Sequence, residues 1–333
     1  MIRIGWSPSN RPYEYIEPEP VDYTVPFYVE DVSGSENTVS INKYGDSAPT
    51  LTIEKSSDGV NWTSMGETSV AGITATVPAN GKLYLRCSAS TWHNNTYYAN
   101  AINCSSVFNV GGNIMSLLYG SNFTGEETTF PTGSSRNFGG LFRFSNLVSA
   151  SKLLLPATTL TSNCYSGMFT NNTLLTSAPK LPATTLAPYC YSTLFAGCSS
   201  LTTPPALPAT TLASHCYDSL FQSCTSLTTA PVLPATTLTE WCYFALFSGC
   251  TSLTTAPALL ASRLAPYCYQ RIFNGCSKLN SITCLATTNP ELNTAYWVEG
   301  VAETGTFIKA ASMKSWPTGV DGIPEGWTVE DYK

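Results

Sequence analysis

Cysteine is the residue type with the widest chemistry in this chain, because a thiolate binds metals, acts as a nucleophile and forms disulfides. Nine of the 12 cysteines fall into two series whose members lie 26 residues apart. The two series are Cys164, Cys190, Cys216, Cys242 and Cys268, and Cys198, Cys224, Cys250 and Cys276. So strict a period predicts that each thiol occupies an equivalent position of a repeating structure.

Three states are open to these thiols: a zinc site, disulfides or buried free thiols. A zinc site needs clustered cysteine and histidine ligands, but the chain has no Cys-x-x-Cys and two histidines, so we predict no metal site. Disulfides within each repeat are disfavoured because Cys164 has no second cysteine eight residues on, and Cys284 is also an extra. Cysteine is often fully buried as a small apolar residue, so we predict stacked, reduced thiols. A bond between Cys87 and Cys104, outside the repeats, stays open.

The remaining polar residues form no catalytic pattern. His93 and His215 are far apart in the chain, and no serine-hydrolase, zinc-peptidase, P-loop or dinucleotide-binding motif occurs. A glycosidase needs two carboxylates on one face, but Asp218 and Glu240 are 22 residues apart, which is off the 26-residue period. We therefore predict a protein that is not an enzyme and that binds no cofactor.

One position is notable for its variation. The residue before the first cysteine of each repeat is Asn163, Tyr189, His215, Trp241 or Tyr267, whereas core positions repeat one residue type. Such a position is predicted to face solvent, and exposed aromatic rings aligned along a repeat suit stacking on sugar rings. We therefore predict that Tyr189, His215, Trp241 and Tyr267 bind a ligand. The alternatives are that these rings merely cover the outer surface or that they pack between subunits.

These positions belong to a tandem repeat over residues 155–284. Its five units of 26 residues begin at Leu155, Leu181, Leu207, Leu233 and Leu259. A fixed period of this length is the signature of a solenoid. Within a unit, the SLTT segment alternates apolar and polar residues and predicts a short strand. The CYSTLFAGC segment has apolar residues at helical spacing and predicts a short helix or 3₁₀ turn, and prolines break any longer helix.

The pattern CYxxLFxGCxSLTxxPxLPATTL resembles the BspA-like leucine-rich repeat family of anaerobic gut bacteria and their phages, over about residues 155–284. The stretches 112–123 and 305–329 resemble the caps that flank such repeats. The resemblance implies a surface-exposed binding or adhesion module without catalysis, and it does not fix a ligand. The first unit departs from the pattern with Asn172 in place of cysteine, and the fifth has Leu260 in place of proline. Terminal repeats are usually atypical.

Composition and patterning divide the chain into five segments. We predict an extended N-terminal arm over residues 1–22 and an immunoglobulin-like β-sandwich over residues 23–110. A linker with the N-terminal solenoid cap is predicted over 111–154, five leucine-rich repeats over 155–284 and a C-terminal cap over 285–333. The predicted fold class is therefore mainly β with short helices.

Both caps contain recognisable features. Gly111-Gly112 is the predicted hinge between the sandwich and the solenoid. The stretch GGLFRFSNLVSA at 139–150 is a worn half-copy of the repeat, with Phe142 in the phenylalanine position. The last unit is predicted to be covered by Trp297, Trp316, Trp327 and Phe307.

The N-terminal arm is rich in proline and tyrosine, which excludes a helix and predicts an extended, polyproline-like segment. We predict that it is an attachment peptide that docks on a neighbouring protein by strand addition or groove binding. Its candidate anchoring residues are Pro12, Tyr13, Tyr15, Pro18 and Pro20. The alternative is a disordered tail.

Residues 23–110 contain short runs that alternate apolar and polar residues, with turn signals between them, which predicts a two-sheet β-sandwich. No Cys–Trp–Cys spacing supports a true immunoglobulin domain. The segment 56–62 resembles the Asp-box of sialidase propellers, but it is one residue short and occurs once. Asp58-Gly59 is therefore predicted to be a hairpin turn.

Charge and hydropathy narrow the range of partners. The net charge is −6 and 11% of residues are charged, which argues against nucleic acid because that partner needs a clustered basic surface. No apolar run approaches the roughly 18 residues of a membrane span. The N-terminus lacks the apolar core of a signal peptide, so we expect release with a particle such as a phage virion. A leader that was removed or replaced by Met is the alternative.

Together these features predict a non-enzymatic protein of the virion surface, a phage fibre or decoration protein whose repeats contact host surface glycan or protein. Its arm is expected to bind other virion or surface proteins, and self-association into a homo-oligomer stays open. The alternative is a bacterial cell-surface adhesin of the same repeat family. A third hypothesis is an accessory chain of a carbohydrate-active enzyme, which needs a separate catalytic partner.

Overall fold

The computed structural model describes residues 2–6, 12–16, 20–43, 48–89, 91–92, 100–131, 135–287, 293–313 and 316–333, the first two ranges as backbone alone. Over these residues the protein is mainly β, as predicted, with several open sheets and one α-helix of four residues.

The N-terminal arm contains a β-hairpin. Strands β1 (Ile2–Trp6) and β2 (Pro12–Ile16) pair antiparallel as a separate two-stranded sheet. The segment is extended, but the polyproline-like conformation predicted for it is wrong, because IRIGW and PYEYI carry residues that favour strands and whose backbone groups can pair. Pro12 is tolerated because it is the first residue of its strand. Pro18 lies outside the described residues.

Eight strands over residues 28–113 build two sheets. They are β3 (Tyr28–Asp31), β4 (Asn37–Lys43), β5 (Thr52–Ser56), β6 (Thr63–Glu67), β7 (Ile73–Val77), β8 (Lys82–Cys87), β9 (Asn100–Cys104) and β10 (Phe108–Asn113). One sheet has the order β10-β3-β8-β5-β6, and the other has the order β7-β4-β9. Val39 and Ile41 of β4 and Leu85 of β8 are fully buried, and their sequence neighbours are more exposed. This alternation places the inner faces of both sheets in one apolar core.

The connection between β5 and β6 is the predicted hairpin turn. The Asp58 carboxylate accepts hydrogen bonds of 2.8 Å from the backbone N–H groups of Val60 and Asn61. It also accepts one of 2.8 Å from the Ser56 hydroxyl. The segment that resembles an Asp-box therefore closes a turn between two antiparallel strands.

The predicted hinge at Gly111-Gly112 is wrong, because both glycines lie inside a sheet. Strand β10 pairs antiparallel with β3 and parallel with β11 (Leu147–Leu154). A side chain at Gly111 would overlap the Tyr28 hydroxyl, and one at Gly112, whose φ is +74°, would overlap the Pro26 carbonyl. The glycines thus permit close packing, and the sheet continues from the N-terminal region into the repeat region.

The two regions also share a core. The Phe27 ring packs against Phe142 of the half-copy, with ring centroids 6.0 Å apart. A short helix, α1 (Ser116–Tyr119), and a 3₁₀ turn at Gly120–Asn122 follow β10 in the chain. The buried apolar side chains form one cluster from the two-sheet region through the stacked units.

The segment 189–198 and its equivalents in the other units, here named turn segments, are chains of turns and not the predicted helix. The Leu194 N–H donates to the carbonyl three residues earlier, whereas the Phe195 N–H donates to the Leu220 carbonyl of the next unit. This alternation continues along the segment. Every fourth residue, beginning with Tyr189, has a positive φ, which interrupts a right-handed helix. Hydrogen bonds between units replace those of a helix.

The predicted SLTT strands form only in copies that lack proline. Strands β11 and β12 (Ser281–Cys284) lie in such copies, at the two ends of the stack. The four other copies carry Pro179, Pro205, Pro231 and Pro257. The outer two of those copies make only an isolated bridge to the terminal strand beside them, Ser177 with Ser149 of β11 and Thr255 with Ser281 of β12. Proline has no N–H to donate to a ladder.

Two rows of identical rings stack through the interior of the units. The first row comprises Tyr165, Tyr191, Tyr217, Tyr243 and Tyr269, with successive ring centroids 5.8–6.1 Å apart. The second row comprises Phe169, Phe195, Phe221, Phe247 and Phe273, with successive ring centroids 5.4–6.0 Å apart. Phe142 continues the second row at 5.6 Å from Phe169, which confirms the predicted half-copy.

The cysteines of the repeats are buried free thiols, as predicted, and Cys87 and Cys104, for which a bond was left open, are also free and buried. Members of the second series donate to the carbonyl of the phenylalanine in the preceding unit at 3.0–3.2 Å. In the first unit Asn172 takes this position, and its amide donates to the Phe142 carbonyl at 2.6 Å. Burial raises the pKa of the Cys164 thiol to about 12. Such thiols stay protonated at neutral pH and are poor nucleophiles.

The C-terminal cap covers the last unit, as predicted. Strands β12, β13 (Thr306–Lys309) and β14 (Thr328–Asp331) pair in parallel. The covering side chains, which are buried or partly buried, are Trp297, Phe307, Trp316 and Trp327. Residues 295–300 (AYWVEG) also repeat the STLFAG pattern of a turn segment, because the Phe273 N–H donates to the Trp297 carbonyl as it would to a sixth unit.

Candidate functional site

The four predicted ligand-binding residues form one continuous stack on the outside of the units. This aromatic ladder comprises Tyr189, His215, Trp241 and Tyr267, with planes within 19° of parallel. Ring centroids are 4.3 Å apart at its first step and 5.5 Å at its second. The third step, between Trp241 and Tyr267, is again 4.3 Å.

Stacking limits what the ladder can offer a ligand. Tyr189 is exposed, whereas the other three rings are half-buried. His215 and Trp241 each have a ring on both faces, so only their edges are open to another molecule. Face-on stacking of a sugar, which we predicted for the whole row, is therefore restricted to its ends.

The backbone at the ladder is unusual for aromatic residues. Each ladder residue opens its turn segment with a left-handed φ, between 54° and 58°. Asn tolerates this conformation readily, as at Asn163 in the first unit, but it is a genuine outlier for tyrosine and tryptophan. Inter-unit hydrogen bonds hold it, for example from the Trp241 N–H to the Pro266 carbonyl at 3.1 Å. Each stacked pair adds roughly 0.5–1.5 kcal/mol.

Two carboxylates hold the ladder rings in place. Asp218 lies 3.0 Å from Nδ1 of His215, and it also accepts a hydrogen bond of 2.8 Å from the Ser219 hydroxyl. Glu240 accepts one of 3.0 Å from Nε1 of Trp241. These are the two carboxylates whose spacing is off the repeat period. Each carboxylate orients a different ladder ring.

A groove of about 610 Å³ opens at the end of the ladder nearest the N-terminus. Tyr189 and Asn163 line it, together with Arg136, Arg143 and Phe144 of the half-copy. None of these three residues was predicted from the sequence. Aligning RNFGGLFRF of the half-copy with NCYSGMFTN of the first unit places Arg136 and Phe144 at the left-handed positions and would have revealed them.

The candidate anchoring residues lie far from this site in the sequence, and the structure describes only the backbone of those in β2. Pro12, Tyr13 and Tyr15 belong to strand β2. Pro20 is exposed. His93, one of the two histidines considered for catalysis, lies outside the described residues.

Within the part of the chain that the structure describes, no group of three or more His, Cys, Asp or Glu side chains is arranged to hold a metal ion. No helix among the same residues has the length and apolar character that crossing a membrane requires. Comparison of the chain with protein-family models, with curated proteins and with solved structures finds no match.

Proposed function

We propose that this chain is a non-enzymatic binding protein displayed on an extracellular particle, as a phage virion fibre or decoration protein that contacts host surface glycan or protein through its repeats. The observation that carries the proposal is the aromatic ladder, four rings aligned on the outside of a stack of units. In finer terms, the stacked units are a BspA-like leucine-rich repeat solenoid, and the two sheets before them are an immunoglobulin-like domain.

The physical argument starts from the rigidity of the stack. Tyrosine and phenylalanine rows fill the interior, and backbone hydrogen bonds join each unit to the next. Such a scaffold presents its outer side chains at fixed positions, which lowers the entropy lost on binding. Large amphipathic rings held at a surface supply contact area with few rotatable bonds. These properties suit recognition of an extended surface polymer.

The hairpin in the arm supports a role in attachment. β1 and β2 pair with each other in a sheet of their own. A two-stranded sheet is only marginally stable alone, and a further strand from another protein would add main-chain hydrogen bonds. We assign the arm to binding other virion or surface proteins, with the ladder directed outward.

A bacterial cell-surface adhesin of the same repeat family is the second candidate, because the ladder would serve the same purpose there. Immunogold labelling separates the two. With an antibody against the chain, gold on purified phage particles supports the first assignment, and gold on bacterial cells without phage supports the second. An accessory chain of a carbohydrate-active enzyme would instead co-purify with a catalytic subunit.

Binding itself is tested with fluorescently labelled chain and intact host cells. We expect saturable binding that Trp241→Ala weakens, and Thr228→Ala, an exposed position away from the ladder, serves as the matched control. Periodate oxidation of the cells should abolish binding to glycan, whereas protease treatment should abolish binding to protein. Absence of saturable binding to any host surface would overturn the proposal.

A further inference from the structure

The groove next to Tyr189 differs from the rest of the ladder because an aromatic face borders open space there. One face of Tyr189 is covered by His215 at 4.3 Å. On the other side the equivalent position holds Asn163, whose side chain is too small to cover a phenol ring. Phe144, which also lines the groove, is 66% exposed. Two aromatic side chains therefore line an open groove.

The floor of the groove is backbone. The second left-handed position of each turn segment is glycine only in the half-copy and the first unit, at Gly140 and Gly167. A Cβ at Gly167 would lie 3.2 Å from the Thr170 hydroxyl and 3.5 Å from that of Thr193. Later units carry Thr193, Ser219, Ala245 and Arg271 at the same position. The groove consequently ends where side chains fill this row.

The charge of the groove is positive, although the chain carries a net charge of −6. Arg136 and Arg143 line it, and the described lining contains no carboxylate. Its other polar groups are hydroxyls and an amide, from Ser166, Thr193 and Asn163 among others. Arginine pairs with a carboxylate through two parallel hydrogen bonds. Nucleic acid carries a charge on every nucleotide and needs a more extended basic surface than two arginines on a chain of net charge −6 supply.

From these observations we infer that the groove binds an acidic sugar residue of a surface polysaccharide. The sugar carboxylate pairs with Arg136, the ring lies against Tyr189 and Phe144, and the glycine floor admits the ring close to the backbone. This inference rests on the proposed function of surface binding and adds the class of ligand and its position. A neutral sugar has no carboxylate to pair with Arg136, so the site selects against it.

The test is titration calorimetry on the full chain with three acidic tetrasaccharides, built from galacturonate, glucuronate or sialate. The carboxyl-reduced form of each is the matched neutral probe. We expect at least one acidic probe to bind and its reduced form to bind more weakly by roughly tenfold or more. Arg136→Gln should weaken the acidic probe by roughly 10- to 100-fold. Arg263→Gln, an exposed arginine outside the groove, should leave it unchanged.

A second variant tests the backbone floor of the groove and leaves the charge of the groove unchanged. Gly167→Thr places threonine at a position of positive φ, as the next unit does at its equivalent position, Thr193. The fold is therefore expected to persist. It should abolish binding of the acidic probe. The control is Ser219→Thr, at the same position of a unit outside the groove, which should bind as wild type. Far-ultraviolet circular dichroism verifies that all variants are folded.

Several results would overturn the inference. They are binding by none of the acidic probes, equal binding of acidic and reduced probes, insensitivity to both groove variants, or displacement by single-stranded oligonucleotide in preference to sugar. The cell-binding assay separates this failure from failure of the proposed function. If Gly167→Thr and Arg136→Gln bind host cells as wild type does, the groove inference fails and surface binding stands. If wild type binds no cells, surface binding itself fails.

Discussion

The Cys224 thiol donates a hydrogen bond to the Phe195 carbonyl, 3.2 Å away in the preceding unit. The same carbonyl accepts the Cys198 N–H within its own unit at 3.0 Å. The thiol thus links two successive units beside the phenylalanine row. It must be protonated to donate this hydrogen bond. The relationship recurs along the stack, and it accounts for a cysteine at this position in four successive units.

The first prediction concerns the reactivity of these thiols. Burial raises the pKa of Cys198 and of Cys276 to about 12, and the thiolate is the reactive form. Ellman's reagent should therefore detect few thiols in the native protein and all 12 after denaturation without reductant. A disulfide between Cys190 and Cys198, found by mass spectrometry, would contradict the assignment.

The second prediction concerns Asn172, which replaces this cysteine in the first unit. Its amide donates to the carbonyls of Phe142 and Phe169, and its oxygen accepts from Ser145. Asn172→Ala should lower the free energy of unfolding by about 2–3 kcal/mol, because buried groups lose their partners. Asn172→Cys restores the donor of the later units and should cost less. Equal losses in urea unfolding would show that the hydrogen bonds contribute little.

The third prediction concerns the interior of the stack. Phe221 lies between Phe195 and Phe247, with centroids 5.8 and 5.7 Å apart. Phe221→Ala should destabilise the protein by about 3–5 kcal/mol, as expected for a buried aromatic side chain. Thr228→Ala, at an exposed position of the same unit, is the control and should change stability by less than about 0.5 kcal/mol. A comparable loss in both variants would mean that the phenylalanine row is not the core.

The fourth prediction concerns pH and the buried carboxylate of Asp31. Burial by itself would raise the pKa of Asp31, but hydrogen bonds from Ser33, Asn80 and Asn37 outweigh it and lower the pKa from 3.8 to about 2. Stability from the ionised carboxylate is therefore fully present above about pH 4 and is lost as the pH falls through the folded pKa. The melting temperature of wild type should fall more steeply than that of Asp31→Asn over this window. Parallel curves would show that Asp31 does not contribute.

The fifth prediction concerns the arm. Its hairpin is a separate sheet, and the apolar core begins at Phe27. Deleting residues 1–22 should leave the remaining domains folded by circular dichroism with an unchanged melting temperature, because the hairpin pairs with no other described sheet and the described core side chains all follow residue 22. The deletion should abolish incorporation into the particle if the arm is the anchor. Normal incorporation of the truncated chain would assign anchoring to the two-sheet region instead.

The sequence by itself determined the register of the stack. A strict period of 26 residues brings Tyr191 over Tyr217 and Phe195 over Phe221, because identical residues recur at identical places in each unit. The half-copy around Phe142, the aromatic cover of the last unit and the burial of the thiols followed from the same pattern. Each of these depends on residue type and spacing alone.

The backbone within a unit was decided by tertiary structure. Spacing at Tyr191, Leu194, Phe195 and Cys198 suits a helix, but turns with a left-handed residue at every fourth position also direct these side chains inward. Hydrogen bonds to the next unit favour the turns, and a single unit contains no information about them. The SLTT segments form strands only at the two ends of the stack, because in the four copies between them proline lacks the N–H that a ladder needs.

The candidate site, too, was predicted from the sequence in part and decided by packing between units in part. Variation before the first cysteine indicated that Tyr189 and its equivalents lie outside, and the structure places them there. The sequence could not show that the rings cover one another, because that depends on a distance of 4.3–5.5 Å between units. Nor could it show the groove, which is lined by Gly140 and Gly167 together with Phe144 and Tyr189 and stays open because the glycines carry no side chain. Spacing along the chain determines which residues align, and packing between units determines which surfaces remain open.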